Sequence, residues 1–161
     1  MKAHEAYIKA ITSIGGDLEG GYSEHLTEAN EAAFESWLAS QPKVSGKTLY
    51  RGYKLDRPFF EDGDYSEGAV LLPLSMTEGY HPAFTDSSLR AAGYISQFGT
   101  TTDDYVKLLF ELHTSGKYMV DVSALSVYPC ESEHHCTADA RFKVVKNENR
   151  GALTQITLEE I

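Results

Sequence analysis

Apolar positions in the first forty residues recur at helical spacing. Tyr7, Ile8, Ile11 and Ile14 share one face of a first helix, and Phe34, Trp37 and Leu38 share one face of a second. Gly15, Gly16, Gly20 and Gly21 separate the two, and Pro42 stands just beyond the second. From Thr48 the period changes to two: Leu49, Arg51 and Tyr53 alternate with Tyr50 and Gly52, as along a strand. An acidic loop at 61–68 leads into an apolar run from Ala69 to Leu74. Asp86 or Ser87 is placed to cap a short helix carrying Leu89, Ala92, Tyr94 and Ile95. After a polar stretch at 99–104, further strands are predicted at 105–112, 117–122, around 131–136, at 141–146 and at 152–158. Helices first and strands afterwards predict an α+β fold, and so many short strands predict two packed sheets. One domain is expected over 1–161, helical in 1–45 and β-rich in 46–161.

Composition adds constraints. With 161 residues, 42% of them hydrophobic and 11% aromatic, the chain can bury a core without a staple. Its formal charge of −10 disfavours a phosphate backbone as direct partner and favours a basic protein surface, within the ~8–10 Å that salt leaves unscreened. The two cysteines, Cys130 and Cys136, are too few for an extracellular disulfide scaffold. The first twenty residues mix charges among apolar positions, unlike a signal peptide, and no stretch is long enough for a membrane span. The expectation is a cytoplasmic monomer, in its own or a host cell, with no membrane association.

Three short segments carry candidate chemistry. Glu131 and Glu133 are two apart, so on a strand they face one side about 6–7 Å apart, and paired carboxylates can divide charge stabilisation from proton handling. Taken alone, a solvated acidic edge explains them better. Arg51 lies within an otherwise apolar strand, where a guanidinium needs a phosphate, an interior carboxylate or an exposed position; Gly52 beside it permits close approach to the backbone. Ser75 and Thr77, also two apart, present hydroxyls to one side at the end of the apolar run, as ordinary strand ends do.

Together and in this order, Leu49-Tyr50-Arg51-Gly52, Ser75-Met76-Thr77 and Glu131-Ser132-Glu133 resemble the R-S-E signature of arginine-type mono-ADP-ribosyltransferases, the lineage of clostridial binary toxins, vertebrate ecto-enzymes and phage-encoded modifying enzymes. Phe142 and Val144 match the F-x-V strand that follows the catalytic glutamate in that family. Met76 stands where the family has the middle threonine of its S-T-S. The resemblance spans roughly 23–158. It implies mostly antiparallel sheets around an NAD cleft, NAD as co-substrate, no metal, and release of nicotinamide as ADP-ribose passes to a protein acceptor.

The roles that the resemblance implies are these. Glu133 binds the ribose hydroxyl and stabilises the oxocarbenium cation, a problem glycosidases also solve with carboxylates. Arg51 holds the pyrophosphate, Gly52 offers backbone groups to the nicotinamide amide, Ser75 orients Glu133, and Thr77 supports. Glu131 serves the acceptor, and a glutamate there favours arginine. Phe84 or Tyr80 stacks on nicotinamide or packs in the core; Tyr128 touches the acceptor or covers a sheet edge.

Two other readings stay open. An NAD glycohydrolase would use water as acceptor, and an inactive binding module would keep the fold alone. A zinc site from Cys130, His134, His135 and Cys136 is not expected, because a regular strand sets the cysteines roughly 20 Å apart and the adjacent histidines on opposite faces. Partly buried cysteines and surface histidines are expected instead.

Overall fold

Two helices and a long strand are the main elements among the described residues up to Asp56. The computed structural model describes residues 1–12, 23–61, 63–77, 81–96 and 105–161. Helix α1 (Ala3–Thr12) and helix α2 (Glu28–Ser40) form where the helical spacing predicts them; Ile14 and the four glycines lie outside the described residues. Thr27 caps α2, its hydroxyl accepting the Asn30 N–H at 3.1 Å and satisfying one of the helix's orphan donors. Tyr7 and Ile8 pack on Phe34 and Leu38, and this apolar seam continues onto Val120 and Val122.

Strand β1 (Ser45–Asp56) is followed by the two-residue strands β2 (Val70–Leu71) and β3 (Ala83–Phe84) and by helix α3 (Ser88–Ser96). Ser87, rather than Asp86, caps α3 by accepting the Arg90 N–H at 3.2 Å. Then come β4 (Tyr105–Ser115), β5 (Met119–Asp121), β6 (His134–Cys136), β7 (Phe142–Asn149) and β8 (Thr154–Glu160). They form a five-stranded sheet in the order β1-β4-β8-β7-β2 and a three-stranded sheet in the order β3-β6-β5. Every pairing is antiparallel except that of β4 with β8. This is the α+β, two-sheet arrangement that the sequence predicts.

Leu49, Met76, Phe84, Phe110, Met119, Phe142 and Ile156, all buried, fill the main core. The sheets are tied where Tyr50 and Thr85 exchange backbone hydrogen bonds of 2.7 and 2.8 Å. At the far end Glu160 is buried, and its carboxylate accepts the backbone N–H groups of Ser115, Lys117 and Tyr118, fastening the β4–β5 turn.

Two segments depart from expectation. The apolar run Ala69–Leu74 forms a strand only at Val70–Leu71. Pro73, which has no N–H for a ladder, starts a 3-10 turn over Pro73–Met76 and leaves Leu72 and Leu74 exposed. Residues 131–136 are a strand only from His134. Pro129–Glu131 is a 3-10 turn, and Ser132 takes a left-handed conformation (φ 51°).

Candidate active site

Arg51 leaves β1 toward the second sheet. Its Nε donates to the Met76 carbonyl at 2.7 Å and its Nη1 to the Ala83 carbonyl at 3.2 Å. These bonds tie the end of the 3-10 turn and the start of β3 to the middle of β1. Burial lowers the guanidinium to about 10, with Tyr53, Cys136 and Glu133 opposing the shift, so it stays protonated at neutral pH. Among the described residues no carboxylate lies within ion-pair distance of it. Among the described residues its half-buried charge therefore has carbonyl acceptors but no ion-pair partner, which suits an anionic ligand.

Glu133 immediately precedes β6 and is buried at 9% exposure. Its Oε2 lies 3.1 Å from His135 Nε2, and its backbone carbonyl accepts the Val122 N–H. His135 is buried too, with Nδ1 lacking a hydrogen-bond partner; the proton therefore belongs on Nε2, which donates to the carboxylate. The ring is an edge-on neighbour of Phe34 at 5.8 Å. Arg51 and Glu133 come together because Ala83, which receives Arg51, pairs across the second sheet with His135.

Glu131 ends its 3-10 turn half-buried. Its carbonyl accepts the Thr85 hydroxyl at 2.7 Å and Arg90 Nη1 at 3.2 Å, and Arg90 also holds Thr85 Oγ1 and Asp86. Tyr94 stands near the Glu131 side chain: burial, then Glu131, then more weakly Glu133 raise its phenol. Both glutamates thus stand near Tyr94, although not as same-face neighbours on a strand. The left-handed Ser132 turns the chain between them. His135, Tyr94, Arg90 and Thr85 are contributors that no motif marks. The alternation expected of Glu131 and Glu133 belongs instead to Glu133 and His135, two apart at the start of β6.

The remaining predicted positions fall as follows. Ser75 is half-buried on the 3-10 turn; its hydroxyl accepts the Leu72 N–H at 3.4 Å and its carbonyl accepts the Tyr65 hydroxyl at 2.9 Å. Thr77 ends that turn, half-buried. At Gly52 a Cβ would stand 2.2 Å from the Ala91 carbonyl and 2.6 Å from Ile95 Cγ1, so the close approach that this glycine permits is made by α3. Phe84 is 1% exposed and packs on Phe142, which makes it a core residue and removes it as a stacking platform; Tyr80 lies outside the described residues. Tyr128 is half-buried where the 3-10 turn of Glu131 starts.

His134 and His135 are not surface histidines, because β6 is the middle strand of its sheet and both are 1% exposed. His134 Nδ1 donates to the Ser132 carbonyl at 2.7 Å. Cys130 is exposed and Cys136 buried, both as free thiols. Among the described residues they do not join the histidines in a metal-binding cluster.

No family model and no curated protein sequence matches the chain. Solved structures do. The ADP-ribosyltransferase Vis, a toxin of Vibrio splendidus, was solved in complex with agmatine; it superposes with a TM-score of 0.63 at 19% identity, over all of this chain and 69% of that one. Plx2a, an ADP-ribosyltransferase toxin of Paenibacillus larvae, gives 0.61 at 14% over all of this chain and 87% of its own. An ADP-ribosyltransferase of Clostridium botulinum gives 0.61 at 13% over 99% and 87%. The chain has the fold of the ADP-ribosyltransferase toxins.

Proposed function

We propose that this chain is a mono-ADP-ribosyltransferase, moving ADP-ribose from NAD to a protein side chain, arginine before others, with release of nicotinamide. The observation that carries the reading is the pair Arg51 and Glu133. One supplies a half-buried cation without a counter-ion among the described residues, the other a buried carboxylate oriented by a histidine, and the two sheets bring them together.

The chemistry divides accordingly. Arg51 takes the NAD pyrophosphate, with its orientation set by the Met76 and Ala83 carbonyls. The bond between nicotinamide and the ribose C1 carbon breaks, and its electron pair leaves with nicotinamide. The cation left on the ribose is met by the Glu133 carboxylate, whose negative charge costs least reorganisation when it is already held in place. His135 does the holding, and the Ser75 hydroxyl, which accepts from the Leu72 N–H, keeps its own proton free to donate. An acceptor nitrogen then forms the new bond to C1, and its proton passes to Glu131 or to water.

Arginine is favoured because a guanidinium is a poor nucleophile until a carboxylate draws on its proton, and Glu131 with Tyr94 beside it suits that task. The complex of Vis with agmatine, which carries the guanidinium of an arginine side chain, supports the same acceptor. The charge of −10 suits a target with a basic surface.

The test is to incubate the protein with NAD labelled in its adenine portion and a bacterial lysate, beside Glu133→Gln and Glu131→Gln. Discrete labelled bands that vanish with Glu133→Gln are expected, with a rate loss of about 10²–10³. Glu131→Gln should lose labelling while still cleaving NAD. Consumption of NAD with no labelled protein would make water the acceptor, and neither labelling nor consumption would leave only the fold.

A further inference from the structure

We propose that Glu31, Glu35 and His81 form a binding site for a divalent transition cation of the zinc type, separate from the Arg51–Glu133 site. Glu31 and Glu35 stand one turn apart on the same face of α2, a spacing at which like charges repel and weaken a helix unless something positive lies between them. His81, in the segment that enters β3, points its ring at both. Its Nε2 lies 3.7 Å from Glu31 Oε1 and 3.6 Å from Glu35 Oε1, and the three ligand atoms all fall within 4.8 Å of one another.

The histidine is the more informative member. Its side chain is 10% exposed, wedged edge-on against Phe34 at 5.2 Å and Tyr7 at 5.9 Å, and its Nε2 has no hydrogen-bond partner. The carboxylate oxygens are too distant for a hydrogen bond. They are at nearly the separation that ligands adopt around one metal: tetrahedral bonds of ~2.1 Å put neighbouring ligand atoms about 3.4 Å apart. An ion there would satisfy the orphan nitrogen, and its two positive charges would balance the two carboxylates. An imidazole in the set favours the zinc type over magnesium or calcium, which prefer oxygen alone.

Three protein ligands leave a fourth position, and it opens on a cavity of about 400 Å³ that Leu74, Thr77, Asp139 and Arg141 also line. A water or a small anion can complete the shell from that side. The ion would join α2 to the segment whose Ala83 carbonyl receives Arg51, so binding would brace that side of the first site.

The experiment is to strip the protein with a chelator and titrate Zn²⁺ against a competing zinc dye, then repeat with Co²⁺ and record its absorption spectrum. One ion per chain is expected, with a raised melting temperature and a tetrahedral cobalt spectrum. Glu31→Gln and His81→Gln should each weaken binding by more than about tenfold, the loss typical even of outer-shell partners. Cys130→Ser should bind as wild type. Circular dichroism verifies that the variants fold; Glu31, on the helix surface, can be changed without disturbing the core. Absence of stoichiometric binding to the wild type, or binding that both variants retain, overturns the site. Neither readout depends on NAD chemistry.

Discussion

The carboxylate of Glu133 and the ring of His135 meet at 3.1 Å, the histidine two residues along and on the same side of the entering strand. A carboxylate with one oxygen pinned by a buried imidazole keeps its charge fixed in direction, as the proposed stabilisation of a ribose cation requires. His135→Phe, which keeps the size and loses the donor, should lower kcat by about ten- to a hundredfold while the KM for NAD changes little. Partial recovery in His135→Gln would mark the histidine as a positioning residue. An unchanged kcat in His135→Phe would assign it to packing alone.

Gly52 has no room for a side chain. With the Ala91 carbonyl 2.2 Å from where a Cβ would stand, Gly52→Ala should push α3 off β1 and cost about 1–3 kcal/mol. Urea unfolding measures this, and a variant as stable as wild type would contradict the fit of α3 on that strand.

Ser132 has a left-handed backbone, a conformation that costs a residue with a side chain roughly 1–2 kcal/mol. Ser132→Gly should therefore be neutral or stabilising, and Ser132→Val destabilising. The opposite order of melting temperatures would argue for a different turn between the two glutamates.

Glu160 supplies the β4–β5 turn with acceptors for three N–H groups. Glu160→Ala should cost about 1–3 kcal/mol, with amide exchange at Ser115, Lys117 and Tyr118 accelerating before the rest of the sheet. Uniform protection across the sheet in this variant would refute that local role.

Burial pushes the Cys136 thiol up to about 12, so at pH 8 only about one molecule in 10⁴ carries the thiolate. A thiol reagent should titrate one cysteine of the native protein, and none in Cys130→Ser. Two rapid equivalents from the wild type would mean that β6 opens.

The large features were legible because their periods are long. β1 and β7 announce themselves by alternation, β4 by a run of apolar residues, and α2 by the helical spacing of Phe34, Trp37 and Leu38. Short elements were not. Ala69–Leu74 is apolar enough for a strand, and only Pro73 signals the turn that displaces Ser75 from one. His134 and His135 read as polar positions, but a middle strand flanked by β3 and β5 buries whatever it carries. The acidic pair on α2 attracts no notice in sequence, since His81 meets it from over forty residues away.

The central strand of the larger sheet is synthesised after every strand it joins. β8 slots between β4 and β7, parallel to one and antiparallel to the other. A nascent chain therefore carries two facing strand edges with unpaired backbone groups until residues 154–160 have left the ribosome. During that interval it is open to chaperones and to pairing with other nascent copies. Assembly of the site waits on the same event, because the core beneath β6 includes Ile156 and Leu158. Closure of the larger sheet, and with it the candidate site, is thus a late event in vectorial synthesis.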